Sequence, residues 1–390
     1  MKRKTYRLLF ALLAVLSGAG IVLVLSFAGK KTQGPIENVL TKASTVVQDV
    51  EQDMIVEQRQ VKRSDKLAWF VPYINNPALL KKPNVILFGA YDNEDIESFE
   101  NVTALEDSLH TTFPLIQIYT AWGSKDEELF PKLKVETILE LGSIPVITWE
   151  PWLSDFDDEK IPGLRSADKR DKGGLNDIAN GLYDSYIKQW AIDAKKTNRP
   201  MFLRLGHEMN DPYRYPWGPQ NNSAKDYIAA WRHVHQLFRQ EGATNVIWIW
   251  SPHPAYGFFK DYYPGNEYVD YVGVGTLNYG NVAAWSKWWS FKEIFGKYYN
   301  DLAAFGKPII LTEFGSLAVG GSRSKWYKDA LADMPVSYPS VKSILFFHHG
   351  DDKSTTEQAL DWQIRDDTSV KKVIISQISL WPDSLKPKNK

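Results

Sequence analysis

Residues 201–210 read MFLRLGHEMN, an apolar run that turns abruptly into Gly206, His207, Glu208 and Asn210. Upstream, residues 176–197 place Ile178, Leu182, Ile187, Trp190 and Ala194 on one side of a predicted helix. Downstream, residues 223–241 open with a capping-box-like pair, Ser223 and Asp226, and carry Tyr227, Trp231, Val234 and Phe238 as an apolar stripe. Gly242 stands where a C-cap glycine belongs. A second β-branched and aromatic run, NVIWIWSPH (245–253), follows at once. Strands alternating with helices imply a parallel sheet, because parallel neighbours need a crossover.

The unit recurs in both directions. NVILFGAYD (84–92), FPLIQIYTAWG (113–123) and IPVITWEPW (144–152) precede it. YVDYVGVGTLNYG (268–280), PIILTEFG (308–315) and VKSILFFHHG (341–350) follow. Eight runs in all predict an α/β fold, a single (β/α)8 TIM barrel. An open doubly wound sheet would have fewer strands and a glycine-rich phosphate turn, and neither G-x-G-x-x-G nor G-x-x-x-x-G-K-[ST] occurs. Residues 66–390 are expected to form the catalytic domain, with 66–83 sealing the barrel bottom or flanking the first strand.

Composition narrows the chemistry. A formal net charge of -1 gives no positive field for a polyanion, so no nucleic acid partner is expected. With no Cys, thiolate catalysis, iron–sulfur clusters and Cys-based zinc sites are excluded. Fifteen Trp beside five Met favour flat stacking surfaces over adaptable ones. At the N-terminus the basic MKRKTYR precedes residues 8–29, which carry no charge and are long enough to span a bilayer. Residues 1–29 are expected to be an uncleaved anchor with the following domain outside. Cleavage after Ala28 would give a secreted protein instead. Residues 30–65 are polar, lack aromatics and read as a solvated linker.

In a barrel of this kind the active site lies at the C-terminal ends of the strands. Those ends carry Asp92, Trp122, Glu150, Trp152, His207, Glu208, Asn210, His253, Asn278, Tyr279, Glu313 and His348-His349. Glu208 and Glu313 each follow an apolar run, and an isolated buried carboxylate is costly unless paired or functional. Two facing glutamates are what glycosidic cleavage needs, one to protonate the leaving oxygen and one to attack the anomeric carbon. No metal or cofactor is expected: His207-Glu208 lacks the second His of H-E-x-x-H, and His348 and His349 point to opposite strand faces. Strand alternation puts Arg204 beneath Glu208, where a guanidinium can keep a carboxylate ionised.

RLGHEMN (204–210), YPWG (215–218), AWRHV (230–234), NVIWIWSP (245–252) and ILTEFG (310–315) together resemble glycoside hydrolase family 26. The resemblance implies a retaining β-glycanase with Glu208 as acid/base and Glu313 as nucleophile. It also implies His207 beside the acid and Tyr279 as the tyrosine that bonds the nucleophile. Arg204, Glu150, Trp152, Tyr215, Trp217 and Trp285 are the further expected substrate contacts, Trp217 by stacking on a sugar in the cleft. Mannan-cleaving members tend to have a Trp soon after H-E-M-N and a His ending the third strand. Here Asp211-Pro212-Tyr213-Arg214 and Glu150-Pro151-Trp152 stand instead, closer to members that cut mixed-linkage or β-1,3-containing glucans. The expected partner is a polysaccharide or oligosaccharide, with the membrane engaged through the N-terminal run. The alternative is a barrel without turnover that binds carbohydrate in an exported polysaccharide system; two well-placed glutamates favour the enzyme. The charged insertion 155–176 is long for a βα loop and reads as a cleft wall or a mobile segment.

Overall fold

A computed structural model of the chain describes residues 52–93, 97–282 and 287–386. The chain divides into two units, Met1–Met54 and Ile55–Lys390. The apolar run 8–29 and the linker up to residue 51 lie outside the described residues. Among the described residues, no helix is long and apolar enough to cross a membrane. The end of the expected linker differs from its reading: residues 55–64 are helical. Their anchor is Arg63, 3% exposed, which donates to both oxygens of Glu106 and to the Phe113 carbonyl and Ser143 hydroxyl. A buried guanidinium needs that many acceptors, and polar composition alone concealed them.

Eight parallel strands close into a barrel in chain order. They are β1 (Leu87–Tyr91), β2 (Leu115–Ala121), β3 (Ile144–Glu150), β4 (Met201–Leu205), β5 (Val246–Trp250), β6 (Tyr271–Asn278), β7 (Ile309–Ser316) and β8 (Val341–Phe347). Side chains alternate between the barrel interior and the helix layer. Leu87, Leu115, Ile144, Val146, Phe202, Ile247, Ile249, Tyr271, Ile310 and Leu345 fill the lower interior. Leu67, Phe70, Tyr73 and Leu80 join that cluster from below, so residues 66–83 seal the bottom. Alternate positions such as Ile147, Trp149, Leu203, Trp248, Val272 and Phe346 pack outward against the helices. Above the apolar floor the interior turns polar: Gln117 Nε2 donates to Thr148 Oγ1, and Arg204 stands level with Thr148 across the β3–β4 pairing.

The helix Ala224–Glu241 has the predicted box, with Ser223 and Asp226 capping each other's N–H groups, and ends at Gly242 with φ 79°. The predicted helix 176–197 is two pieces, Gly174–Ala179 and Asp184–Lys196, interrupted at Gly181 (φ +88°), which takes the left-handed turn a Cβ would resist. Among the described residues, the connections after β5 and β6 hold short helical pieces, Pro254–Tyr256, Phe259–Tyr262, Lys292–Gly296 and Tyr299–Ala303. Insertion 155–176 is folded around Arg170, 1% exposed, whose guanidinium donates to the carbonyls of Arg165, Leu153 and Phe156 and pairs with Asp158.

One irregularity decides the site. Val274 pairs with Leu311, but the next residue, Gly275, pairs with Glu313, so Thr312 is extra. On the other side β7 takes three steps from Leu311 to Phe314 while β8 takes two, from Ile344 to Phe346. Strict alternation from the inward Ile310 would send Glu313 outward. The bulge reverses that parity: Glu313 faces the interior and Phe314 joins the outer layer.

Candidate active site

At the C-terminal mouth of the barrel lies a cleft of about 770 Å³ whose walls include Glu208, Glu313, Gly275 and Tyr279. Glu313, re-aimed by the bulge, is 8% exposed and held from two sides. Arg204 Nη2 donates to its Oε1 at 2.6 Å, and the Tyr119 hydroxyl donates to the same oxygen at 2.8 Å. Burial pushes the carboxyl up, but the Arg204 charge and these hydrogen bonds outweigh it, leaving Glu313 below the ordinary value of 4.5.

Glu208 is placed differently. β4 ends at Leu205, and the chain turns through left-handed backbone at Gly206 (φ 45°) and at Glu208 itself (φ 52°). A non-glycine residue there is strained, by an amount on the order of 1 kcal/mol. The Glu208 N–H is anchored on the Ser251 carbonyl at 2.7 Å. Its Oε2 is buried without a hydrogen-bond partner, and Arg214 Nη1 stands off at 4.0 Å. Burial raises Glu208 above 4.5 despite the nearby His253 and Arg214.

Gly275 lies between the two. A Cβ there would sit 3.3 Å from Glu313 Oε2 and 3.4 Å from Glu208 Oε1. Those oxygens are therefore no more than about 7 Å apart, which leaves the retaining separation of about 5–5.5 Å open and excludes most of the inverting range.

The remaining expected contacts divide. Tyr279 lines the cleft and its hydroxyl meets Thr355 Oγ1 at 3.1 Å, while a phenol that bonds Glu313 is that of Tyr119. Tyr119 was missed because it sits two residues before the strand end, where it reads as core. His207, 1% exposed and held below its ordinary value by burial and then by Arg204, shares a hydrogen bond with Tyr215 at 2.9 Å. Trp217 does not reach the cleft. It is 3% exposed, stacks on Tyr215 at 4.6 Å, and donates Nε1 to the His207 carbonyl at 2.7 Å. That backbone acceptor turns the ring inward, so Trp217 braces the loop that carries Glu208. Trp152 packs edge-on against Trp217 and donates to Glu150 at 3.1 Å. Glu150 is raised to about 7, by burial first, and sits 3.8 Å from His207 Nδ1. Trp285 lies outside the described residues, while Trp289 lines the cleft and Trp288 packs on the core. His348 is buried, held at about 3 by desolvation, and its Nδ1 accepts from Ile364 N–H. Arg214, also missed, donates to Ser354 Oγ at 3.2 Å across the cleft; no motif distinguishes it from an ordinary loop arginine.

Residues 165–324 match the model of "Glycosyl hydrolase family 26", a stretch that carries Glu208, Gly275 and Glu313. Over those residues the chain is similar to glycosyl hydrolase family 26. The chain is 34% identical over 238 residues to "Endoglucanase H" of Acetivibrio thermocellus, covering 59% of this chain and 23% of that protein. It is 28% identical over 162 residues to "Mannan endo-1,4-beta-mannosidase" of Bacillus subtilis (strain 168), covering 40% of this chain and 38% of that protein. The chain thus spans well under half the length of these curated relatives. Among solved structures, GH26C from Muricauda sp. MAR_2010_75 superimposes with a TM-score of 0.57 at 16% identity, covering 83% of this chain and 94% of that one, a likeness of fold.

Proposed function

We propose that this barrel is a family 26 retaining endo-β-glycanase working through Glu313 and Glu208. The observation that carries this reading is the opposite displacement of two neighbouring carboxyls: Glu313 below its ordinary value, Glu208 above it. Between those values Glu313 is ionised and Glu208 protonated. Glu313 attacks the anomeric carbon while the glycosidic oxygen leaves with the Glu208 proton, giving a covalent glycosyl-enzyme. Arg204 and Tyr119 both hold Oε1, so the attack falls to Oε2, the oxygen nearer Gly275. Glu208, now ionised, takes a proton from water, which attacks the anomeric carbon and releases Glu313.

A glucan rather than a mannan is the proposed substrate, on the greater likeness to the endoglucanase than to the mannosidase. Trp217 lends no stacking face to that preference, because its ring is buried. Mixed-linkage glucan, β-1,3-glucan, xylan and mannan, compared by release of reducing ends, test substrate and endo action together. Cleavage of a glucan faster than mannan is expected; faster mannan cleavage overturns the preference, and no cleavage of any overturns the activity. We also propose that residues 8–29 hold this barrel on the outer side of a membrane, on the length of their uncharged run. N-terminal sequencing of membrane-extracted protein should begin before residue 8; a start near Gly29 means a secreted protein.

A further inference from the structure

The connection after β8 crosses the mouth of the barrel. In a closed ring of strands in chain order, β4 and β8 stand opposite one another. Arg214 lies in the connection after β4 and Ser354 in the connection after β8, yet Arg214 Nη2 donates to Ser354 Oγ at 3.2 Å. The next residue, Thr355, meets the hydroxyl of Tyr279, just past β6, with 3.1 Å between the oxygens. The segment thus reaches from β8 to the β4 and β6 sides, and Ser354 and Thr355 line the same cleft as Glu208 and Glu313. Its base is built to stay in place. Asp352, 1% exposed, pairs through its backbone with Leu360 in both directions, at 2.9 and 2.8 Å. The Asp352 carboxylate accepts from Ser354 N–H and from Trp362 Nε1, each at 2.9 Å, and Trp362 is fully buried. Beyond that base, residues 353–355 and 357–359 are exposed. Side-chain hydrogen bonds from such a tip exchange readily for bonds to water, while a buried, paired base does not.

We propose that residues 353–359 are a strap across the cleft, and that its two pins, Ser354 and Thr355, decide how readily an internal stretch of polysaccharide enters. The proposal rests on the endo-glycanase reading and deepens it. A polymer lying in the cleft runs out of it at both ends. Beneath a pinned strap it can be introduced only end-first, whereas an internal stretch needs the strap lifted. A short oligosaccharide is free of that constraint, because all of its units are close to an end. Entry of the polymer therefore follows the fraction of protein whose strap is open, and the two pins hold that fraction down. Arg214 is the wrong side of the pin to alter in a test, since its Nη1 stands 4.0 Å from Glu208 Oε2. Variants on the strap itself leave that guanidinium in the chain.

The test is a competition in one mixture between a soluble β-glycan and the shortest oligosaccharide of that glycan that the protein cleaves. Loss of each is followed by size-exclusion chromatography, and the ratio of initial rates gives the ratio of the two kcat/KM values. Both substrates meet the same protein, so the ratio does not depend on how much of a variant is folded. Ser354→Ala and Thr355→Ala should each raise the polymer-to-oligosaccharide ratio by roughly two- to tenfold, the yield of one ordinary hydrogen bond. The double variant should exceed either. An unchanged ratio in the double variant means that the pins do not limit entry, and a lower one means that the segment holds the polymer rather than bars it; either result overturns the proposal. A wild-type protein that cleaves neither β-glycans nor their oligosaccharides overturns the glycanase reading itself.

Discussion

The ends of β4 and β7 each deliver a glutamate to one cleft, and they do so by opposite devices. On β7 an extra residue, Thr312, reverses strand parity inside regular pairing, and the delivered Glu313 is tied at Oε1 by Arg204 and Tyr119. On β4 the strand stops, left-handed backbone turns Glu208 into the cleft, and its Oε2 is left without a hydrogen bond. In the proposed mechanism the tied carboxylate stays ionised and the loosely held one keeps its proton. Placement and protonation state are thus one design: ligands that pin a nucleophile also keep it charged, and an acid must be spared them.

The largest expected effects separate the two ends by chemistry. Glu313→Ala should abolish glycosyl-enzyme formation, with kcat down by about 10⁴-fold or more on every substrate. Glu208→Ala should lose about 10²–10⁴-fold on polysaccharide but far less on a glycoside whose leaving group needs no proton. Azide should rescue that second variant by replacing base-activated water. Equal losses on both substrates without rescue would mean that the roles are wrongly divided.

Breaking the ties on Glu313 should make it resemble Glu208. Arg204→Met leaves a buried carboxylate without its guanidinium, costing about 3–5 kcal/mol at neutral pH. The sign follows from the depressed Glu313 value. The stabilisation is fully present above the ordinary 4.5 and fades as pH falls through the lower folded value, so urea midpoints of variant and wild type should converge in acid. In the wild type, kcat/KM should be bell-shaped, with an acid limb below 4.5 from Glu313 and an alkaline limb above it from Glu208. Arg204→Met should move the acid limb upward. An unmoved limb would mean that another group sets it.

Gly275→Ala narrows the space between the ends rather than altering either. A Cβ within 3.4 Å of both carboxylates should lower kcat/KM by roughly tenfold through displaced reacting groups, with little change in melting temperature. The smallest effect belongs to Trp217→Phe, which removes the bond to the His207 carbonyl and should cost about 1 kcal/mol of stability in denaturant titration. Its activity on oligosaccharides should change little; a selective loss there would put the ring in the substrate's path after all.

The same contrast explains what the sequence could and could not disclose. The barrel was legible because eight apolar runs alternate with helical segments, and the helix Ala224–Glu241 because its caps are written in Ser223, Asp226 and Gly242. Both glutamates were legible as carboxylates ending apolar runs. The manner of their delivery was not: alternation counted through ILTEFG points Glu313 outward, and only the pairing reveals Thr312 as the extra residue. Trp217 was misjudged because its direction is set by a backbone carbonyl, His207 O, that no residue identity encodes. Arg63 and Arg170 looked like solvated charges for the same reason, their acceptors being mostly distant carbonyls and side chains that converge only in the fold.

The central claim, that the bulge-borne, doubly tied carboxylate is the nucleophile, is tested most directly by trapping the covalent intermediate. Protein inactivated with a fluorinated, activated β-glycoside of the sugar it cleaves is digested, and the labelled peptide is located by mass spectrometry. The label should fall on Glu313. A label on Glu208 or Glu150, or turnover without any covalent adduct, would contradict it.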